Sequence, residues 1–181
     1  GSRASCAGVI SILFILSIEA SRGNIYDVNG ELLAYNQLAY SVVISDNGSY
    51  SSTKEHNRLL NKELNEIINV IKNNGGSIYN DFPVVLNDDG TYSFTFTSET
   101  SKKRFLSDVF GKKYDKLEYN KSLGFDEANA SAQNIIDFLS SDQNECFDIS
   151  SKYDTQATYD IVVMRYAIKQ NRFTKYKTTT I

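Results

Sequence analysis

A few short groupings in this 181-residue chain have residue types and spacings that could do chemistry. Ser51-Ser52-Thr53-Lys54 sets a lysine three residues after a serine, a spacing that can bring an amine to a hydroxyl for acyl transfer. Ser45-Asp46-Asn47 and Lys177-Thr178-Thr179 are polar triplets of the S-x-N and K-T-G kind that accompany such a serine, the second without its glycine. His56 is the only histidine, so a Ser-His-Asp relay or a histidine metal site would have to be built around it. It falls at the start of an expected helix and reads as a solvated side chain. Asp88-Asp89 pairs two carboxylates inside a turn without completing a D-x-D-x-D-G calcium loop, and solvation is again the simpler reading. Cys6 and Cys146 have no CxxC partner and no clustered histidine, so they suggest neither zinc nor a redox pair. No G-x-x-x-x-G-K-[ST] or G-x-G-x-x-G occurs, and no cofactor is implied.

The elements that must position these groups follow from period and turn signals. Ile25-Tyr26 and Leu32-Leu33 flank Asn29-Gly30, a pair that tolerates positive φ, and predict two short strands joined by a two-residue turn. Ala39 to Ser45 reads as a further strand and Asp46-Asn47-Gly48-Ser49 as a loop. Ser52 with Glu55 is a capping box, and Leu59, Leu60, Leu64, Ile67, Ile68 and Ile71 recur at helical spacing until Asn73-Asn74-Gly75-Gly76 stops them. Asn87 to Gly90 is a turn before an alternating aromatic strand, Tyr92 to Thr97. Ser98 caps a short helix that ends at Gly111, and Asp126 caps another through Ala128, Ala132, Ile135, Ile136 and Leu139. The last helix begins near Asp154 or Thr155 and runs to Asn171. The fold class is α+β: a small mixed or antiparallel β base with helical insertions and no strict βαβ alternation.

Length allows one domain with a genuine core, with or without an appendage. Nineteen basic and 22 acidic residues, without a run of like charge, offer no footprint for nucleic acid. Gly1-Ser2 reads as an expression scar. Cys6 to Ile18 is uncharged and apolar but shorter than the roughly 20 residues a span needs, and no small-x-small cleavage site follows it. The run is expected to be the outer remnant of a transmembrane anchor; a buried strand is the alternative.

The stretch Arg22-Gly23-Asn24-Ile25-Tyr26-Asp27-Val28-Asn29-Gly30-Glu31-Leu32-Leu33-Ala34 resembles the R-G-x-I-x-D-R-N-G-x-x-L-A signature that opens the N-terminal domain of class B penicillin-binding proteins. Val28 stands where that family usually has Arg, which removes a charge without disturbing the turn. Arg165-Tyr166 through Asn171, Phe173 and Tyr176 resembles a second family segment, R-Y-x-x-x-x-N-x-F-x-x-Y. The resemblance implies a penicillin-binding-protein dimerisation-domain-like fold with residues 1–20 as scar and anchor remnant and 21–181 as a partial, non-catalytic, extracytoplasmic pedestal. By resemblance, Arg22, Gly23, Ile25, Asp27, Asn29, Gly30, Leu33, Ala34, Arg165, Tyr166, Asn171, Phe173 and Tyr176 have structural or interdomain roles. Gly23 would permit close backbone approach, Gly30 would complete the turn, and Arg22 and Asp27 would form an ion pair.

The same resemblance tells against an active site in this chain. In the family's catalytic fold the S-x-N serine follows the S-x-x-K serine in sequence, whereas here Ser45 precedes Ser51, and Thr179 would place a side chain where substrate must lie. The three fragments are chance matches. The implied parent protein is a serine D,D-transpeptidase of peptidoglycan, anchored by a single pass in the cell membrane. The implied partners are its own transpeptidase domain and proteins of cell-wall synthesis or division. Alternatives from other classes are a membrane-tethered interaction or sensor domain that shares the hairpin by chance and, less well supported, a small hydrolase using Ser51 and Lys54.

Overall fold

The computed structural model describes residues 10–15, 25–34, 41–46, 50–78 and 80–171. Contacts divide the chain into two units, Gly1–Ser49 with Phe173–Ile181, and Tyr50–Arg172. The second unit is therefore an insertion into the first.

In the first unit the middle of the apolar run is a strand, β1 (Ile10–Ile15), and the β-branched segment Val42-Val43-Ile44 lies in β4 (Ser41–Asp46). The two pair antiparallel without interruption, from Ile10 opposite Asp46 to Ile15 opposite Ser41. Between them in sequence come β2 (Ile25–Tyr26) and β3 (Leu32–Ala34), the expected hairpin.

In the second unit α1 (Thr53–Asn73) begins where Ser52 Oγ accepts the Glu55 amide at 3.1 Å. The expected capping box closes differently: the Glu55 carboxylate accepts the Ser51 amide at 2.8 Å and the Ser51 hydroxyl, one residue earlier than Ser52. Those two bonds hold the Glu55 carboxyl below its ordinary range. Strands β5 (Val84–Leu86) and β6 (Tyr92–Phe94) form an antiparallel hairpin over the Asn87–Gly90 turn. Helix α2 (Glu99–Phe110) has the expected Ser98 cap and ends on Gly111 at φ +63. A small hairpin, β7 (Tyr119–Asn120) with β8 (Phe125–Asp126), follows. Asp126 caps only a 3-10 turn, Glu127–Asn129. Helix α3 (Ala132–Ser140) starts afresh on Ser131, which exchanges hydrogen bonds with Asn134 in a complete capping box. Sequence reading merged the two because both Asp126 and Ser131 are competent caps.

Helix α4 (Thr155–Asn171) is the axis of this unit. Asp160 through Tyr166 are seven consecutive buried residues, a pattern reserved for a helix covered on all sides. Val162, Val163 and Tyr166 enter the main core with Val84, Phe105 and Ile135. Ile161 and Met164 lie outside that cluster, and α1 brings the equally buried Leu60, Leu64 and Ile68 against α4. Lys72 near the end of α1 pairs with Asp160 near the start of α4, while Asn57 and Asn61 meet Arg165, so the two helices run antiparallel. Among the described residues every strand pairing is antiparallel. The architecture is α+β, four helices with short antiparallel strand pairs.

Candidate functional site

Asp27 builds the turn that carries the first motif. Its Oδ1 accepts the amides of Asn29 at 2.8 Å and Glu31 at 2.7 Å, and its own amide donates to the Glu31 carbonyl at 2.8 Å. The Gly30 amide returns to the Asp27 carbonyl at 3.1 Å, with Gly30 at φ +82. Among the described residues only Glu145 and Asp148 combine a side chain with positive φ, so Asn29 does not, and the expected two-residue turn is replaced by a three-residue loop, Val28-Asn29-Gly30. The cause is the Asp27 carboxylate: by holding the Asn29 amide two residues on it fixes an Asx turn, and only the glycine then needs the left-handed region. The loop leaves apolar side chains in solvent. Val28 is 98 % exposed, Leu33 66 %, Ile25 59 % and Tyr26 55 %. Ala34 lies in β3 opposite Ile25. Arg22 and Gly23 lie outside the described residues, and so does the Arg22 half of the expected ion pair.

The second motif is buried where the first is bare. Arg165 donates from Nη1 to Asn61 Oδ1 at 2.7 Å and from Nη2 to Asn57 Oδ1 at 2.6 Å, and its guanidinium lies 4.9 Å from the Phe147 ring centroid. Asn61 passes the connection on, donating to the Phe147 carbonyl at 2.9 Å and the Asp148 carbonyl at 3.3 Å. One arginine thus ties α4 to α1 and to the loop after α3 through charge-assisted bonds in a dry setting. Tyr166 points the other way, with ring centroids 4.9 Å from Phe82 and 5.8 Å from Phe105. Burial, with Asp108 and Asp81 adding to it, pushes its phenol up to about 12. Asn171 is the last residue of α4, while Phe173 and Tyr176 lie outside the described residues.

Asn57 and Asn61 were not singled out from sequence. Their signal is present: they occupy stripe positions with Leu60, Leu64 and Ile68, where a polar side chain one turn from another must find a buried partner.

The fragments with catalytic spacing do not assemble. Ser51 precedes α1 and donates its hydroxyl to Glu55, so an acid, not Lys54, holds the would-be nucleophile. Lys54 is exposed in the first turn of the helix. Ser45 and Asp46 belong to β4 in the other unit, and Asn47 and Lys177-Thr178-Thr179 lie outside the described residues. The His56 ring packs against Tyr50 with centroids 4.4 Å apart. Asp89 accepts both the amide and hydroxyl of Thr91, which lowers its carboxyl pKa and makes it a turn residue. Cys146 is buried, and burial pushes its thiol up, away from the reactive thiolate. Among the described residues there is no group of three or more metal-ligating side chains, and no helix long and apolar enough to cross a membrane.

The family model described as penicillin-binding protein dimerisation domain matches residues 17–179, a span that takes in both motifs and the whole inserted unit and begins after β1. No curated protein matches the chain.

Proposed function

The chain belongs to the penicillin-binding protein dimerisation-domain family, a non-catalytic domain that works through protein–protein contact, and from that premise we propose that it is the pedestal of a peptidoglycan D,D-transpeptidase. In this reading residues 21–181 hold the catalytic domain away from the membrane and offer surfaces to proteins of cell-wall synthesis or division. Residues 1–20 are an expression scar followed by the remnant of a single-pass anchor, of which Ile10–Ile15 is here a strand against β4. The domain stands on the extracytoplasmic side, and the parent protein acylates a serine that β-lactams also reach.

The observation that carries this reading is the β2–β3 hairpin. A turn closed by five hydrogen bonds around Asp27 presents Ile25, Tyr26, Val28 and Leu33 to solvent, the arrangement of a preformed contact waiting for a second surface. That surface is assigned to the parent's own transpeptidase domain, with Ile25, Leu33 and Ala34 as contact residues and Asp27, Asn29 and Gly30 as the turn that aims them. Arg165 and Tyr166 tie together the core of the inserted unit. Arg22, Gly23, Asn171, Phe173 and Tyr176 remain assigned to structural or interdomain roles.

A fluorescent penicillin tests the reading directly. No covalent labelling of this chain is expected, together with strong labelling of the protein translated from the native frame beyond Ile181. Labelling of the chain itself, or a native frame without ordered S-x-x-K, S-x-N and K-T-G, overturns it. In the longer protein Leu33→Asp should separate the melting of the two domains while leaving penicillin labelling of its catalytic domain untouched.

A further inference from the structure

We propose that the inserted unit carries a binding pocket for a phosphate-type oxyanion, formed where the first two turns of α1 face the loop that leads into α4. It stands independently of the pedestal reading. A cavity of about 430 Å³ opens there, lined among others by Lys54, Arg58, Asn61, Asp148, Lys152 and Tyr153. Three lysines elsewhere in the unit have acidic partners: Lys72 with Asp160, Lys112 with Glu118 and Glu127, Lys169 with Glu145. No ion pair of this kind holds Lys54, Arg58 or Lys152 among the described residues. The one carboxylate in the lining is Asp148; Glu55, on which Arg58 acts, lies outside the lining and keeps its negative charge while it accepts from the Ser51 amide and hydroxyl. The lining thus has two positive charges in excess.

The pocket is also built rather than incidental. Its floor is Asn61, 1 % exposed, whose amide group is fixed by the Phe147 and Asp148 carbonyls and whose oxygen takes a hydrogen bond from Arg165. Lys152 Nζ lies 5.1 Å from the Tyr153 ring centroid, which holds an ammonium at the rim. Ser150 and Ser151 add hydroxyl donors to the lining.

These features select the ligand class. A lone carboxylate carries one charge and is satisfied by one guanidinium fork, leaving the second cation uncompensated. A phosphate or diphosphate group carries the matching charge, accepts from several directions at once and suits a mixed arginine and lysine site. The remaining volume, walled by Ile149 and Tyr153, accommodates the group that bears the phosphate. The source is either a soluble phosphate compound or an anionic lipid headgroup.

The experiment titrates the intact chain with inorganic phosphate, with pyrophosphate, and with vesicles of phosphatidylglycerol against phosphatidylcholine. It is repeated on Arg58→Glu, Lys152→Glu and the control Lys121→Glu, all exposed positions that leave the fold in place. Saturable binding is expected, weakened about tenfold or more by either pocket reversal and unchanged by Lys121→Glu. Pyrophosphate binding without vesicle binding assigns the soluble source. Phosphatidylglycerol binding lost on the same two reversals assigns the headgroup. Absence of saturable binding in every arm, or an equal loss with Lys121→Glu, overturns the proposal.

Discussion

The β2–β3 and β5–β6 hairpins share a turn and differ in almost everything else. In each, a first residue whose amide bonds the carbonyl four positions on (Asp27 to Glu31, Asn87 to Thr91, both 2.8 Å) is followed by a glycine at φ +82 whose amide returns to it, at 3.1 and 2.9 Å. Both loops are locally determined, because side-chain oxygens of Asp27 and Asp89 satisfy the amides the turn exposes. The strands then part company. Val84 is fully buried and Phe94 and Phe96 lean on Phe105, with centroids 6.4 and 5.3 Å away, whereas Ile25 and Leu33 stay largely in water. A turn can be written by four residues, but burial is granted by whatever surrounds it. One hairpin spends its apolar side chains on its own core and the other keeps them available for contact.

The sharpest way to break the comparison is at the aromatic cluster. Phe105→Ala should lower unfolding free energy by about 4 kcal/mol in urea denaturation, since Phe82, Phe94, Phe96 and Tyr166 all pack on that ring. A loss below half of that would mean the second hairpin is no better anchored than the first. Arg165→Met should cost about 3 kcal/mol, because Asn57 and Asn61 would keep buried oxygens without their charged donor; restoration by Arg165→Lys should be partial at best.

Alkaline titration probes the same core more gently. The Tyr166 phenol is raised in the folded state, so the unfolded chain loses its proton first. Stability is therefore fully present below about pH 10 and is lost as pH rises towards 12, by on the order of 2 kcal/mol. Tyr166→Phe should flatten that decline in a pH series of melting temperatures. Gly30→Ala and Gly90→Ala meet open space but force a side chain into the left-handed region, and each should cost about 1 kcal/mol. Near-equal penalties, read by hydrogen exchange at Glu31 and Thr91, would confirm that the turns are alike; a twofold disparity would show that context reaches into them. Leu33→Ala should change stability by under about 0.5 kcal/mol, and a larger cost would deny the first hairpin its free face.

What could be read from residues alone tracks how local the cause is. Ser52, Ser98 and Asp154 announced their helices because a cap acts within three residues. The hairpin at Asn29-Gly30 was recognisable, but its loop length was not, since the deciding bond comes from the Asp27 side chain. β5 escaped notice because Val84-Val85-Leu86 is three residues long and follows Pro83, too short for alternation to speak. Covering α4 on every side is a property of the elements packed around it, and no period in Asp160 to Tyr166 encodes it. The Arg165 network escaped for the same reason: its partners lie 104 and 108 positions away in sequence. Family resemblance located the two motifs without revealing that one is solvent-facing and the other interior.

Antiparallel packing of α1 on α4 brings the start of the first helix beside the end of the last, with Asn57 bonded to Arg165. The inserted unit therefore enters and leaves through neighbouring points. Such an arrangement makes it an exchangeable cassette: it can be excised and bridged by a few glycines, grafted into another host, or enlarged over evolutionary time without altering the β1–β4 and β2–β3 pairings.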